Sequence, residues 1–372
     1  MTKKTIVLLC ALLMCAVPLL ASAAADNDAD RIDTSVSYKS FTPFPILMYD
    51  TDIGIGYGGK AKMIDFLGKR ESFDLILFNS SKGERWYVFT FSIPDFEIRQ
   101  SKVYSLSLDI KAEYDKYLKY YYYGLGPDSS EESETSFSSE KMELELTLGR
   151  GITTQFVIEG GYVLRNIRYF DIEGGQPFSN IIGTVGDQFS PFAFLRVKYD
   201  TSNSQIHPTR GFRIMLQDDI AAGFLGNSNA RYNRWTLDAR KYLTLFGDRD
   251  VLAFRFLAQN IGGSDIPLFE LPILGGGNVL SMMRGYKLNR FADKGKFLFC
   301  GEYRFPIWKK VGGNIFVEAG SVFPSLDGID LGKTAMDAGW GLRYYTDDFV
   351  VRFDMGFSKE GMGIYFNFGH AF

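Results

Sequence analysis

The residues best placed to do chemistry are an arginine and two glutamates in the last third of the sequence. Arg284 precedes Gly285 and Tyr286 in a long connection, and Glu302 and Glu318 follow in two largely apolar segments. A guanidinium group can bind carboxylates in a bidentate way and stays charged when it is partly desolvated. This set predicts ion pairing, with Gly285 allowing a tight backbone turn beside the arginine.

Residues for nucleophilic or metal catalysis are sparse. The two histidines, His207 and His370, lie far apart along the chain, and we expect them on a turn and on a lipid-facing strand respectively. Ser202 and Ser204 near His207 leave a hydrolase open, because some enzymes in barrel walls pair a serine with a histidine. The sequence contains no H-E-x-x-H, Walker or G-x-S-x-G pattern. We therefore expect no enzyme, no metal site and no cofactor.

The elements that must position these residues are indicated by alternation of apolar and polar residues. Residues 104–114, 142–148 and 349–357 all alternate with a period of two, which predicts β-strands. Soluble strands average about five or six residues, and these runs are longer. They continue along the chain without a helical interlude, and their polar faces carry both signs of charge. A transmembrane barrel with a polar lumen is favoured over a soluble sandwich.

The sequence predicts about sixteen strands, an even number that closes an antiparallel barrel with both termini in the periplasm. Short turns at 247–248 and 347–348 would face the periplasm, and connections 127–140, 173–188 and 262–295 would be extracellular. The acidic tip of the first of these is a solvated loop or a cation site. The predicted strands start near Phe44, Gly54, Ser72, Arg85, Ser101, Ser139, Thr153, Phe189, Gly211, Ala230, Asp250, Lys296, Gly313, Ala335, Asp348 and Gly361.

The N-terminal residues predict export. Lys3 and Lys4 precede an apolar run and then small residues, the order found in a secretory signal peptide cleaved after Ala23 or Ala25. We divide the chain into a signal peptide (1–25), a short periplasmic segment (26–43) and an outer-membrane barrel (44–372). The single cysteine left after cleavage, Cys300, excludes an internal disulfide. The net charge of −3, with no basic cluster, argues against nucleic acid as a partner.

Alternation also assigns the faces of the strand after the long connection. It directs Phe297, Phe299, Tyr303 and Phe305 outward, and Leu298, Cys300, Glu302 and Arg304 into the lumen, with Phe316 and Glu318 inside on the next strand. The connection before them is rich in apolar residues at 268–274, so we expect it to fold inward. Arg284 would then meet both glutamates. Two other interpretations stay open: a surface arginine, and a plug without a mechanistic role.

Several segments carry a resemblance to a known family. Residues 275–305, with Met283 before the Arg-Gly-Tyr triplet, resemble the sixth extracellular loop and following strand of the BamA/TamA-like surface antigen family, whose hallmark is [VI]RG[FY]. Residues 315–320 are similar to the family's F-x-D-x-G motif, with Glu318 in place of its aspartate. The segment 199–211 and the final strand, 361–372, extend the resemblance over most of the barrel.

The resemblance implies a role in outer-membrane biogenesis, as insertion or translocation of protein or lipid. It implies a loop latch made by Arg284 near a lateral seam between the first and last strands. The implied partners are outer-membrane lipids or lipopolysaccharide, an unfolded protein or lipid client, and the barrel-assembly machinery, with the chain itself a monomer. Phe366, Phe368 and Phe372 share the lipid-facing parity of the final strand. They would form the C-terminal assembly signal that this machinery recognises by β-augmentation.

Two features limit the resemblance. About twenty residues separate the predicted cleavage site from the first strand, too few for a periplasmic POTRA domain, so client capture would need a partner. A passive diffusion channel is the alternative function, because many lumen-facing residues are charged and sixteen strands leave space for water. The predicted charged lumen residues are Arg196, Lys198, Asp200, Arg213, Arg234, Asp238, Arg240, Arg343, Arg352 and Asp354.

Overall fold

A computed structural model describes residues 31–32, 36–51, 53–174, 187–227, 230–247, 249–346 and 349–372. Within these residues sixteen long antiparallel strands form one closed barrel, which confirms the fold and strand number expected from the alternation. No helix in the described part of the chain has the length and hydropathy needed to span a bilayer. The predicted signal peptide and the turn at 347–348 lie outside the described residues.

The strands pair with their neighbours in chain order. A three-residue strand, Asp187–Phe189, extends the pairing on β7, and Ile273–Leu274 pairs with Phe291–Ala292 inside the barrel. The barrel strands are β1 (Ser40–Asp50), β2 (Gly54–Ile64), β3 (Ser72–Ser80), β4 (Arg85–Ile93), β5 (Tyr104–Tyr122), β6 (Thr135–Gly151), β7 (Phe156–Gly174), β8 (Phe192–Asp200), β9 (Gly211–Ala221), β10 (Arg231–Thr244), β11 (Val251–Ser264), β12 (Gly295–Trp308), β13 (Val311–Phe323), β14 (Ala335–Tyr345), β15 (Val350–Phe357) and β16 (Met362–Phe368).

The starts of β5, β7 and β8 lie three residues after the expected positions, and two other starts lie four residues before them. β1 begins at Ser40 rather than Phe44, and β6 begins at Thr135 rather than Ser139. The early part of β6 is a run of serines, phenylalanine and threonine with no alternation to detect, and it is ordered by pairing with Tyr120–Tyr122 of β5. The acidic connection before β6 is therefore shorter than 127–140.

The connections differ at the two ends of the barrel. Residues 123–134, 265–294 and 324–334 join strands at one end, which we call the loop end. Shorter turns such as 152–155 and 309–310 join them at the other, the turn end. β5, β6 and β7 have 17 to 19 residues, whereas β1 to β4 have 9 to 11. The wall is therefore taller on the β5–β7 side.

The outer face of β6 shows the apolar band that a bilayer requires. Met142, Leu146 and Leu148 are exposed, between Glu140 toward the loop end and Arg150 toward the turn end. The span between these two charges is about 34 Å along the strand, or about 26 Å along the membrane normal at a tilt near 40°. That height matches the apolar band of outer-membrane barrels, about 25 Å.

The closing pair of strands is joined over a short stretch. β1 is paired with β2 along its whole length, from Ser40 to Asp50. In the described residues its register with β16 is limited to Tyr49 opposite Phe366 and Asp50 opposite Tyr365. We call this junction the seam. The remaining edges of β1 and β16 depend on other contacts.

Candidate functional site: a loop anchored in the lumen

Residues 265–294, which we call the lumen loop, fold into the barrel between β11 and β12. Leu274, Met282 and Met283 have no exposed surface, and they pack in one cluster with Leu298 of β12 and Val322 of β13. The apolar content that predicted inward folding is thus buried against the strands that follow the loop. The loop keeps its shape through its own short ribbon and through paired hydrogen bonds between Gly276 and Met283.

Arg284 lies at the centre of a buried ionic cluster. Its Nε donates to Glu318 Oε1 at 2.8 Å, and its Nη2 lies 3.0 Å from Glu302 Oε1. Its backbone N–H donates to the second oxygen of Glu318 at 2.7 Å. The guanidinium carbon is 3.4 Å from the ring centroid of Phe316, and the whole residue is 1% exposed. A planar cation here satisfies carboxylates from two neighbouring strands at once.

Two further carboxylates complete the cluster. Asp354 on β15 accepts from Arg284 Nη1 at 2.9 Å and from Arg343 Nη1 at 2.7 Å. Asp337 on β14 accepts from the backbone N–H of Gly285 at 2.9 Å. Alternation already places Asp354 in the lumen, but its contact with the loop depends on where the loop crosses the wall. Asp337 has the same alternation signal and was missed.

The same segment lies directly on the inner face of the last two strands. A Cβ atom at Gly356 of β15 would be 2.5 Å from the carbonyl carbon of Arg284, and one at Gly363 of β16 would be 2.4 Å from its carbonyl oxygen. Ser358 donates to the carbonyl of Gly285 at 2.7 Å. Tyr286, the third residue of the triplet, donates to the carbonyl of Met336 at 3.2 Å. The triplet therefore supports β16 from inside.

A second anchor with the opposite polarity holds the start of the lumen loop. Glu270 is fully buried, and its two oxygens accept from Arg165 of β7 at 2.9 Å and from Arg234 of β10 at 2.6 Å. Each arginine also keeps a carboxylate of its own wall, Glu143 and Asp219 respectively. Sequence reasoning missed Glu270, although an isolated acid within an apolar run is a signal for a buried ion pair. The loop thus bridges opposite walls.

A third set of contacts joins the lumen loop to its neighbours at the loop end. Arg290 lies 2.6 Å from Glu360, between β15 and β16, and donates to the carbonyl of Ser129 at 2.7 Å. Lys287 lies 2.9 Å from Glu131 and 3.1 Å from Glu134. The hydrogen bond to Glu131 raises the pKa of Lys287, and the same bond lowers the pKa of Glu131. Much of the acidic tip is therefore paired with the loop.

The C-terminal aromatics occupy two different environments. Phe366 lies at the seam opposite Tyr49, and the ring of Phe368 packs edge-on against Phe44, with centroids 5.1 Å apart. Phe372 does not continue on the lipid-facing side that its parity predicts. It is buried in the lumen, where its carbonyl accepts from Arg304 Nη2 at 3.1 Å. The strand ends at Phe368, and the left-handed backbone at the next residue turns the chain inward.

The inward turn also relocates His370, which was expected on a lipid-facing strand. Its ring lies 5.9 Å from the ring of His207, so the two histidines are neighbours despite their distance in sequence. The Nε2 of His207 contacts the carbonyl of Thr346 at 3.2 Å, and Ser204 Oγ accepts from the backbone N–H of His207 at 3.0 Å. These contacts fix the turn end of the barrel around the chain end.

Space remains in the lumen beside the loop. A cavity of about 340 Å³ lies between the loop and the β5–β7 wall, lined by residues such as Tyr120, Phe269 and Lys296. Another of about 300 Å³ opens near the turn end, where Lys198 and Arg213 are among its lining residues. Charged side chains from several strands line part of the second cavity, which bears on the channel alternative.

The comparisons with known proteins agree with this geometry. A sequence model of the Omp85 superfamily domain matches residues 65–372. BamA from Haemophilus ducreyi lacking POTRA domains 1–3 has a TM-score of 0.66 and 14% identity, over 89% of this chain and 70% of that chain. CdiB from Escherichia coli gives a TM-score of 0.63 at 12% identity, covering 88% of this chain and 62% of that one.

CdiB from Acinetobacter baumannii gives a TM-score of 0.57 at 12% identity, covering 88% of this chain and 59% of that one. The chain thus spans about three fifths of each CdiB chain. A comparison with curated protein sequences finds no match. At these identities the structural likeness concerns the fold, whereas the sequence model covers most of the chain. On that match, the chain belongs to the Omp85 superfamily.

Proposed function

We propose that this barrel acts in outer-membrane biogenesis and that it inserts or translocates a protein or lipid client through its seam. The observation that carries the proposal is the short pairing of β1 with β16, which in the described part of the chain leaves residues 40–48 of β1 without a register partner on that side. Unpaired strand edges are templates for β-augmentation, so an unfolded barrel strand is a chemically suitable client. The loop end would face the cell exterior.

In this proposal Arg284 acts as a latch. Its carbonyl lies against Gly363 of the seam strand while its side chain is bound to β12, β13 and β15. The latch would keep the inner face of β16 in place while its edge opens to a client. The proposed partners are outer-membrane lipids or lipopolysaccharide, the client, and the machinery that assembles the barrel, which would read Phe366, Phe368 and Phe372.

The test is reconstitution of the purified protein into liposomes. We would measure the folding rate of a small unfolded outer-membrane protein with wild type, Arg284→Ala, Lys287→Gln and empty liposomes. Acceleration by wild type and Lys287→Gln, lost in Arg284→Ala, is the expected result. Lys287 is the matched control because it belongs to the same loop but is half exposed at its end. No acceleration over empty liposomes would exclude autonomous insertion.

A disulfide cross-link distinguishes a client route through the seam from a route through the lumen. Tyr49→Cys with Phe366→Cys places two thiols on directly opposed residues, and the oxidised pair would fix the seam shut. Client folding should stop on oxidation and return on reduction, with the single-cysteine variants unaffected. Full activity in the oxidised protein would mean that the seam is not the route.

A passive diffusion channel is the second candidate, favoured by the cavity near the turn end, which is lined in part by charged side chains. It predicts a high single-channel conductance that is the same in wild type and Arg284→Ala. The cross-link would leave this conductance unchanged, since permeation through the lumen needs no opening of the seam.

A further inference from the structure

A row of charged residues crosses the outer face of four strands. Arg85 of β4 is opposite Lys116 of β5, which is opposite Glu140 of β6, which is opposite Arg168 of β7. All share the outward parity of the residues two positions away toward the turn end, such as exposed Met142. The row extends to Asp187 on the short strand beside β7.

The row carries three basic residues and two carboxylates, Glu140 and Asp187, so its formal charge is +1. Among the described residues, Arg85, Lys116 and Arg168 form no ion pair. Lys116 and Arg168 flank the ring of Phe170, and their charged groups lie 5.4 and 5.6 Å from its centroid. Glu140 accepts instead from the hydroxyl of Tyr114 at 2.5 Å. The inner face of the same wall differs.

On that inner face the arginines are paired with carboxylates. Arg165 lies 2.6 Å from Glu143, and Arg196 lies 2.9 Å from Glu159. Both faces of the wall therefore carry basic residues, but in the described part of the chain only the inner ones form ion pairs with carboxylates. The outer row holds Arg85, Lys116 and Arg168 outside ion pairs and has an excess of one positive charge, which can attract an external anion.

The position of the row on the barrel narrows the class of anion. Glu140 marks the loop-end limit of the apolar band on β6, so the row lies at headgroup depth in the leaflet on the loop side. Directly toward the turn end is an outward groove of about 570 Å³. Its lining is almost entirely apolar and includes Leu75, Phe89, Ala112 and Leu144. The basic row lies about 7 Å along the strands from the groove's upper rim, which is two residues away.

We propose that this face binds one phosphorylated lipid of the outer leaflet, with its phosphate among Arg85, Lys116 and Arg168 and an acyl chain in the groove. Guanidinium groups bind phosphate oxygens in a bidentate way, and the lysine adds a point charge. The groove opens onto hydrocarbon, where an acyl chain is the occupant that matches its apolar lining. The proposal rests on the proposed placement of the loop end in the outer leaflet.

The experiment uses the full chain in phosphatidylcholine nanodiscs with added bisphosphorylated lipid A as the probe. Native mass spectrometry would report the bound fraction against lipid A concentration for wild type and for the triple variant Arg85→Gln/Lys116→Gln/Arg168→Gln. We expect at least about a tenfold loss of affinity in the triple variant, since three charge-assisted contacts are removed. The matched control is Arg231→Gln/Lys241→Gln, two exposed residues on the outer parity of β10, which should bind as wild type does.

A second variant tests the groove without changing charge. Ala112→Trp fills the groove from its floor, and it should weaken lipid A binding severalfold while leaving the basic row intact. Dephosphorylated lipid A should bind the wild type no better than it binds the triple variant. Inorganic phosphate in excess over lipid A should not displace the lipid, because it lacks the acyl chain. Displacement by phosphate would reduce the site to a simple anion contact and overturn the proposal.

Other outcomes also decide the matter. Equal lipid A affinity in wild type and the triple variant, both shown to be folded by heat-dependent gel migration, would overturn the proposal. Equal losses in the triple variant and in the β10 control would show non-specific charge attraction and overturn it as well. Client folding in liposomes without lipid A is measured in parallel. Loss of lipid binding with intact client folding separates this site from the seam.

Discussion

The latch and the seam lie on the same strand, β16, and are held in opposite ways. On its inner face, Gly363 is in contact with the backbone of Arg284, whose side chain is fully enclosed by carboxylates. At its free edge, the register with β1 ends after Tyr49 and Asp50, and the backbone N–H of Thr51 adds one bond to Ile364 at 3.1 Å. At the junction of β1 and β16, the barrel is therefore held closed more by packing from inside than by hydrogen bonds between the strand edges.

The magnitudes of the two kinds of contact support that reading. An ordinary hydrogen bond contributes about 1 kcal/mol net to stability. Removing one partner from a buried ion pair costs about 3–5 kcal/mol, because the remaining charges are left uncompensated. The latch should therefore dominate the stability of the folded barrel, and the seam should be the first part of the wall to open.

The largest effect is expected for Arg284→Ala. The substitution takes away the buried cation that pairs with Glu318, whereas Glu302 keeps Arg304 and Asp354 keeps Arg343, so the free energy of unfolding should fall by about 3–5 kcal/mol. Urea titration of folding in lipid vesicles measures it. Arg284→Lys should recover only part of the loss, since a point charge cannot bridge two strands as the planar fork does. A loss below 1 kcal/mol in Arg284→Ala would show that the latch contributes no more to stability than an ordinary hydrogen bond at the seam.

A smaller effect is expected where the latch touches the seam strand. The Cβ added by Gly363→Ala would lie 2.4 Å from the carbonyl oxygen of Arg284, which must shift. Overpacking of this kind costs about 1–3 kcal/mol, and we expect the upper half of that range. The control is Gly262→Ala in β11, where an added Cβ meets nothing within 4 Å. Equal melting of the two variants in heat-dependent gel migration would mean that the latch does not support β16.

The opposite wall should be more tolerant. In Glu270→Gln both arginines lose a charged partner, but Arg165 keeps Glu143 and Arg234 keeps Asp219. The glutamine carbonyl can still accept one hydrogen bond. The expected loss is therefore about 1–2 kcal/mol, in the lower part of the range for a buried donor that loses its partner. A loss as large as that of Arg284→Ala would show that both anchors are equally essential.

The sequence predicted which face each wall residue occupies, because the side-chain period of a strand is two. Glu302 and Glu318 are buried and Phe299 is exposed, as the alternation requires. The alternation could not predict which wall residues the lumen loop contacts, since that depends on packing between residues distant in sequence. Asp337 and Glu270 were missed for this reason.

The end of the chain shows the complementary failure. The alternation of Phe366 and Phe368 was extended to Phe372, but a single left-handed glycine, Gly369, interrupts the period. A glycine permits such a backbone without strain and its position alone does not reveal whether it is used. The contact of Phe372 with Arg304 then depends on a lumen that no local pattern describes.

Removing a hydrogen bond at the seam should lower stability less than the substitutions at the latch. Thr51 accepts at its Oγ1 from the backbone N–H of Ile364 at 2.9 Å, in an exposed position. Thr51→Ala should lower the free energy of unfolding by about 1 kcal/mol or less. If the seam is the route, the same variant should speed client folding in the liposome assay, while Thr244→Ala, an exposed hydroxyl at the turn end, should not. If Thr51→Ala lost more stability than Gly363→Ala, the seam would contribute more to the free energy of unfolding than the latch does, contrary to our expectation.

The smallest effect is expected at the loop end. Lys287 and Glu131 are half exposed, so Lys287→Gln should change the free energy of unfolding by about 0.2–1 kcal/mol, and high salt should erase the difference. The pKa of Glu131 is lowered from its ordinary 4.5 and that of Lys287 is raised from 10.5. The pair's contribution is therefore present between those values, and is lost as the pH falls through the lowered pKa of Glu131. Wild type and Lys287→Gln should differ at neutral pH and converge in acid, below the lowered pKa of Glu131. If the difference in unfolding free energy persists in acid and in high salt, Lys287 stabilises the barrel through packing. The loop-end contacts would then resemble the buried latch, contrary to our expectation.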